Sequence, residues 1–230
     1  VDIELPQNTL ELSPDSRCET MTRMGLGTKI LDPELVKKSI KQTNGMISHL
    51  DEQVGRVLDC VERLGIDDNT VIVFISDHGD QLGEHGLFYK GVYPYDGHAR
   101  IPFLARVPSG QKGKIVDDVV SMLDLVPTVL DLAGVDPPVD ERDDEWREKA
   151  APIQPSLPGE ILTPVLTGDA RPARRNALVE YDAENYAAFE ELQYRSLVTN
   201  DYKLVFYVPT SETMLFDRRN DPQETVNLAN

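Results

Sequence analysis

The sequence predicts an α/β domain built on a mostly parallel sheet with helices, followed by a small antiparallel β subdomain. Ile47, Leu50, Val54, Val57, Val61 and Leu64 recur at alternating spacings of three and four residues, the signature of one long amphipathic helix. Val71-Ile72-Val73-Phe74-Ile75 follows as an unbroken apolar run, the pattern of a strand buried on both faces. Beyond residue 170 the apolar runs are short and lie between turn residues, as in antiparallel hairpins.

Residues 1–31 mix Pro, Ser, Asp and Thr without a period and read as loop. Asp32-Pro33 starts the helix, with Asp32 as N-cap and proline in the first turn, and Gly65 stops it, giving a helix over 33–64. A turn over Gly65–Asn69 leads to a strand over Thr70–Ser76, a loop crowded with acidic and imidazole side chains, and a second strand over Ile101–Arg106. Alternating helices and short apolar strands favour a parallel sheet, and ligands of such sheets sit outside the carboxyl ends of the strands, where Asp77 and His78 fall. Ser121–Ala133 is the next helix, closed by Gly134. Residues 136–160 are rich in proline and carry a charge run at Asp140–Lys149, which marks a surface excursion in which Trp146 reads as a loop residue. Asn176–Tyr181, Tyr194–Thr199, Tyr202–Val208 and Met214–Asp217 are the strands of the antiparallel subdomain. The expected division is therefore 1–135 for the α/β part, 136–170 for a linker or surface excursion, and 171–230 for the β subdomain.

Composition narrows the function classes. A net charge of −17 over 230 residues disfavours nucleic acid and anionic membrane surfaces, because neutralising phosphates needs clustered Lys and Arg. No apolar run approaches the roughly 18 residues that a spanning helix requires. Cys18 and Cys60 form no disulfide framework and no zinc spacing, and Cys60 falls on the predicted helix as a packed side chain.

The most informative segment is Ser76-Asp77-His78-Gly79-Asp80-Gln81-Leu82-Gly83-Glu84-His85-Gly86-Leu87-Phe88-Tyr89-Lys90-Gly91. A strand that ends in adjacent carboxylate and imidazole groups offers oxygen and nitrogen ligands to a divalent cation. A capped Asp-His-Gly turn is the simpler reading of the tripeptide alone. A lysine follows on a Gly-flanked loop long enough to reach the same strand end, but what outweighs the simpler reading is a resemblance carried by the whole segment.

This segment resembles the sulfatases of the alkaline phosphatase superfamily. Tyr95-Asp96-Gly97, Arg100-Ile101-Pro102, Asp124-Leu125-Val126-Pro127-Thr128 and the tail Leu215-Phe216-Asp217, Asn220-Asp221-Pro222, Glu224-Thr225 and Asn227-Leu228 are similar to that family in the same order. The resemblance implies a partial alkaline-phosphatase-like sheet with Asp77 and His78 as metal ligands and Lys90 as the residue holding sulfate oxygens. Asp80, His85 and His98 are candidates for support around that pair: Asp80 through a hydrogen bond to a ligand, His85 as a structural residue, His98 as a pocket or turn residue. One divalent cation is implied, Ca²⁺ first, with Mn²⁺ or Zn²⁺ also compatible with an Asp-His pair.

The family's nucleophile, a Cys or Ser matured to formylglycine within a Cys/Ser-x-Pro-Ser-Arg signature, has no match in this chain. Ser13-Pro14-Asp15-Ser16-Arg17 puts proline one place early and stands too close to Asp77 to serve. The chain is therefore expected to be the carboxyl-terminal portion of a hydrolase acting on a small-molecule or glycan sulfate ester, inactive alone. Two other readings stay open at this point. One is a phosphonate monoester or phosphodiester hydrolase of the same superfamily; the other is a non-catalytic interaction module that covers an exposed sheet edge with a partner or second copy.

Overall fold

A computed structural model describes residues 3–6, 32–108, 110–136, 158–168, 170–182 and 192–229. The readings of Cys18, Ser13–Arg17 and Trp146 lie outside the described residues.

Helix α1 spans Pro33–Arg63. Asp32 caps it by accepting a hydrogen bond from the Glu34 amide at 3.0 Å, and Pro33 occupies the first turn, where its missing N–H costs nothing. At the other end Gly65 takes φ +64°. Its amide donates to Glu62 O at 2.9 Å while the Ile66 amide donates to Val61 O at 3.3 Å, a Schellman closure. Much of the apolar stripe is open among the described residues: Ile47 is 57% and Val57 63% exposed, Val54 and Val61 are half-buried, and Val36 is the buried residue of the helix. Cys60 is exposed rather than packed, because it lies on this uncovered helix.

Strand β1, Ile72–Ile75, leads into the motif loop. The short strands β2, Gln81–Leu82, and β3, Phe88–Tyr89, pair as a hairpin, and a single helical turn, α2, spans Asp96–Ala99. Strand β4, Phe103–Arg106, pairs with β1 antiparallel, Ile72 opposite Arg106 and Ile75 opposite Phe103. The parallel pairing expected from helix and strand alternation is corrected here. A parallel return needs a crossover helix of a dozen residues or so, and residues 76–102 contain only the hairpin, with a 3-10 turn at Glu84–Gly86, and α2. Burial of β1 on both faces is corrected as well, since Phe74 is 37% and Leu104 59% exposed on this two-stranded ribbon.

Ser121 opens the next helical segment with a reciprocal capping box, its own amide donating to Asp124 Oδ2 at 2.7 Å. Helix α3 follows over Leu125–Ala133 and closes on Gly134 at φ +65°. The Asp124 side chain is buried, accepting from the Glu160 amide at 2.8 Å and ion-pairing with Arg174. Thr128 Oγ1 donates to Asp124 O at 2.6 Å and accepts from the Leu162 amide at 2.9 Å. Two motif residues of the α3 segment thus pin residues 158–162 and the short helix α4, Thr163–Thr167, to its side.

The carboxyl-terminal sheet is four-stranded and fully antiparallel, in the order β5 (Asn176–Tyr181), β6 (Tyr194–Thr199), β7 (Tyr202–Tyr207) and β8 (Thr213–Asp217). Its inner face supplies Tyr194, Val205, Tyr207, Met214 and Phe216 to a core that also contains Leu87, Tyr93 and Tyr95 from the motif loop. The segment that carries the candidate site is therefore seated directly on the β subdomain. None of the described helices is long and apolar enough to cross a membrane.

Candidate metal and anion site

Strand β1 ends where Ser76 turns the chain: its hydroxyl donates to His78 O at 2.8 Å. The Asp77 side chain projects outward, 85% exposed, with Oδ1 accepting from the His78 amide at 3.0 Å. That backbone hydrogen bond, its own amide and the neighbouring imidazole hold the Asp77 carboxyl below the usual carboxylate range, so it is ionised at neutral pH.

His78 Nδ1 lies 3.0 Å from Gly79 O. A carbonyl only accepts, so this contact selects the tautomer with the proton on Nδ1 and leaves the Nε2 lone pair free. Nε2 stands 3.6 Å from Asp77 Oδ2. Two donors on adjacent positions of one cation, each about 2.3–2.6 Å from it, lie roughly 3.3–3.7 Å apart, so the pair fits a hard divalent ion. Asp80 Oδ1 is 4.0 Å from His78 Nδ1, an electrostatic neighbour beyond hydrogen-bond range. Among the described residues no third His, Cys, Asp or Glu joins Asp77 and His78 in a metal-binding group.

The motif loop packs back on this pair through α2. Gly79 N donates to His98 O at 2.8 Å, and a Cβ at Gly79 would fall 2.1 Å from Gly97 O, so only glycine allows this approach. His98 stacks on His78 with ring centroids 5.6 Å apart and places Nδ1 3.2 Å from Tyr93 O. Burial, and the His78 ring beside it, lower its pKa against the opposing Tyr93 carbonyl and Asp80. Lys90 follows the β2–β3 hairpin with its side chain exposed, and Gly91 sits flat against the Tyr93 ring, where a Cβ would fall 2.3 Å from the nearest ring carbon. The backbone that follows Lys90 thus packs on Tyr93, whose carbonyl faces His98 Nδ1.

His85 is buried rather than at the mouth. Its backbone takes φ +54°, and its ring stacks on Tyr95 at 3.8 Å. Burial lowers its pKa to about 4, with Lys203 pushing the same way and Asp221 opposing. The folded protein therefore binds fewer protons here than the unfolded chain between about pH 4 and 6.5. His85 should contribute stability that is present above pH 6.5 and lost as pH falls through that window, about 3 kcal/mol at full extent. Its own proton NMR titration tests this; a midpoint near 6.5 would place the ring in water.

A polar cluster beneath the loop escaped the sequence reading. Lys203 is fully buried, donates to Pro94 O at 3.0 Å, and ion-pairs with both Asp96 and Glu224. Arg218 Nη2 reaches Asp96 Oδ2 at 3.2 Å, and Glu224 Oε2 accepts from the Asp96 amide at 2.7 Å. The signal was faint: in Tyr202–Tyr207 both alternating faces are largely apolar, so period-two parity does not say that Lys203 faces inward.

Comparison with known proteins bears on the whole arrangement. Residues 11–135 match the family model described as sulfatase, and residues 83–230 match the one described as N-sulphoglucosamine sulphohydrolase, C-terminal. The chain belongs to the sulfatase family. An arylsulfatase of Clostridium perfringens is 31% identical over 205 residues, covering 87% of this chain and 38% of that protein. The chain thus spans well under half the length of the curated relatives it matches. The crystal structure of a sulfatase-like protein of Bacteroides thetaiotaomicron superposes with a TM-score of 0.81 at 24% identity, covering 99% of this chain and 47% of that one. A phosphonate monoester hydrolase of Agrobacterium radiobacter shares the fold at a TM-score of 0.77 and 23% identity, covering 98% and 47%. These sulfatase neighbours bear out an α/β fold of the alkaline phosphatase type with the antiparallel sheet at its carboxyl end.

Proposed function

We propose that this chain is the carboxyl-terminal part of a sulfatase that hydrolyses sulfate monoesters of a glycan or small molecule, with residues 1–135 completing the catalytic domain and 171–230 the supporting β subdomain. Asp77 and His78 would hold a divalent cation, Ca²⁺ first, and Lys90 would hold the non-bridging sulfate oxygens. The observation that carries the reading is the free Nε2 of His78 aimed beside Asp77 Oδ2 at 3.6 Å, at the end of a strand within the sulfatase match. When bound, the cation supplies Lewis-acid stabilisation of charge that develops on oxygen. Asp77 contributes a permanent negative charge, His78 a neutral donor whose tautomer is set by Gly79 O, and Lys90 an exposed ammonium for an anionic ester. Following the family resemblance, the formylglycine nucleophile would come from a part of the protein outside this chain.

Phosphonate monoester hydrolysis is the second reading, favoured by the shared fold with the Agrobacterium radiobacter enzyme. The two sulfatase family matches and the 31% identity to an arylsulfatase support the sulfate ester first.

Hydrolysis of an aryl sulfate and an aryl phosphonate monoester by the full-length protein, with Ca²⁺ and with Mn²⁺, chooses between them. Preference for the sulfate is expected, and preference for the phosphonate would overturn it. Lys90→Ala should lower turnover about 100-fold or more while the melting temperature stays put, since the side chain is exposed. Full activity in that variant would remove Lys90 from the site.

A further inference from the structure

We propose that the β subdomain positions the metal-binding pair through a buried ionic clamp: Lys203, Arg218 and Glu224 fix Asp96, and Asp96 fixes α2 against Gly79. The inference rests on Asp77 and His78 being the metal ligands, and it assigns positioning roles to residues that contact neither cation nor substrate.

The chain of contacts is continuous. Lys203 lies on β7 with its side chain wholly inside the protein, and it joins Pro94 O, Asp96 and Glu224 at once. Glu224, buried and held at φ +56° in the tail, uses its second oxygen to accept the Asp96 amide, the first N–H of α2. Arg218 holds the remaining Asp96 oxygen and also donates to Thr199 O, which ties the clamp to β6. Asp96 is thus gripped by its amide and by both carboxylate oxygens, from β7 and from the tail that follows β8. Burial raises its pKa, but Lys203 and Arg218 outweigh that and keep it below the ordinary value.

From Asp96 the grip passes in three residues to the site. Gly97 O fills the space beside Gly79, His98 O accepts the Gly79 amide, and the His98 ring lies on the His78 ring. Gly97 is itself close-packed, with Gln81 Oε1 2.6 Å from where its Cβ would stand. Two glycines at this seam bring α2 and the loop into close contact, so a displacement of Asp96 is passed on to the Asp77–His78 turn. The cluster is costly to bury, and apolar side chains of similar volume could fill the same seam without it. What the cluster delivers is a fixed α2.

Lys203→Met and, as the milder change, Glu224→Gln test the clamp in the full-length protein, with Arg219→Ala, in an exposed ion pair with Asp201, as the control. Two quantities are read well below each melting temperature: Mn²⁺ affinity by electron paramagnetic resonance, and hydrogen exchange of the Gly79 amide in the metal-free state relative to the Val205 amide of β7. Lys203→Met should weaken Mn²⁺ binding about 10-fold or more, with a smaller loss in Glu224→Gln and none in Arg219→Ala. Gly79 exchange should accelerate more than Val205 exchange, a differential that uniform destabilisation would not produce. Folded variants with wild-type affinity and a wild-type Gly79 to Val205 ratio would overturn the clamp. A wild-type protein that binds no Mn²⁺, yet whose Gly79 exchange still responds to Lys203→Met, would remove the metal assignment and support the clamp.

Discussion

Asp77→Ala in the full-length protein is expected to abolish divalent-cation affinity and turnover while leaving the melting temperature within a degree or two of wild type. The two outcomes separate because the side chain does almost nothing for the fold. It is 85% exposed, and its partners are the adjacent His78 amide and a long contact from the Ser76 hydroxyl. Loss of such local, solvated contacts changes stability little. The cation, by contrast, loses the one permanent negative charge of the pair, and the neutral imidazole left behind cannot hold a hard ion alone. Asp77→Asn refines the test. The amide oxygen can still accept from the His78 amide, so the turn survives and the charge alone is removed. If charge is what the ion needs, Asn should be nearly as damaging as Ala, and isothermal titration with Ca²⁺ and Mn²⁺ measures both. Unchanged binding in Asp77→Ala would discard the ligand assignment and, with it, the reading of the strand end as a metal site.

Much of the architecture was legible because its signals are local. The Asp32-Pro33 start, the Gly65 and Gly134 stops and the strands after residue 170 each depend on a few neighbouring residues, and each appears within about two positions of its expected bounds. The Asp77–His78 pair was legible for the same reason, as consecutive residues at a strand end. The direction of β4 was not, because nothing in Phe103–Arg106 says which way a strand runs beside β1; that is decided by the connection between them. The hairpin at Gln81–Leu82 and Phe88–Tyr89 is too short for periodicity to register. The stripe of α1 was read correctly as apolar, but whether a stripe is covered depends on what packs against it, and Ile47, Leu50 and Val57 stay open among the described residues. The ion cluster was hidden for a further reason. Asp96, Lys203, Arg218 and Glu224 come from the motif loop, β7 and the tail, and no local pattern announces that charges from three segments will meet in one buried place.

That cluster makes Lys203→Met the largest expected loss of stability in the molecule. Removing one partner of a buried ionic group costs about 3–5 kcal/mol, because the charges left behind keep their desolvation penalty and lose their compensation. Here two carboxylates, Asp96 and Glu224, would remain facing each other below the β7 strand, and among the described ion pairs Arg218 would be left to Asp96 and no cation to Glu224. The pH dependence separates this cause from simple loss of packing. Burial already raises the Glu224 pKa above the ordinary carboxyl value, with Lys203 opposing the rise. Taking the lysine away must raise it further. A carboxyl whose folded pKa exceeds its unfolded value binds more protons when folded, so its contribution to stability is full below the unfolded pKa, near 4.5, and is lost as pH rises through the folded one. Lys203→Met should therefore be most destabilising at pH 8 and recover part of the difference as pH is lowered toward 5. Urea unfolding of both proteins across that range measures it. A penalty that is constant with pH would mean that Lys203 acts through the packing of its aliphatic stem, and that Asp96 and Glu224 find other partners once its charge is gone.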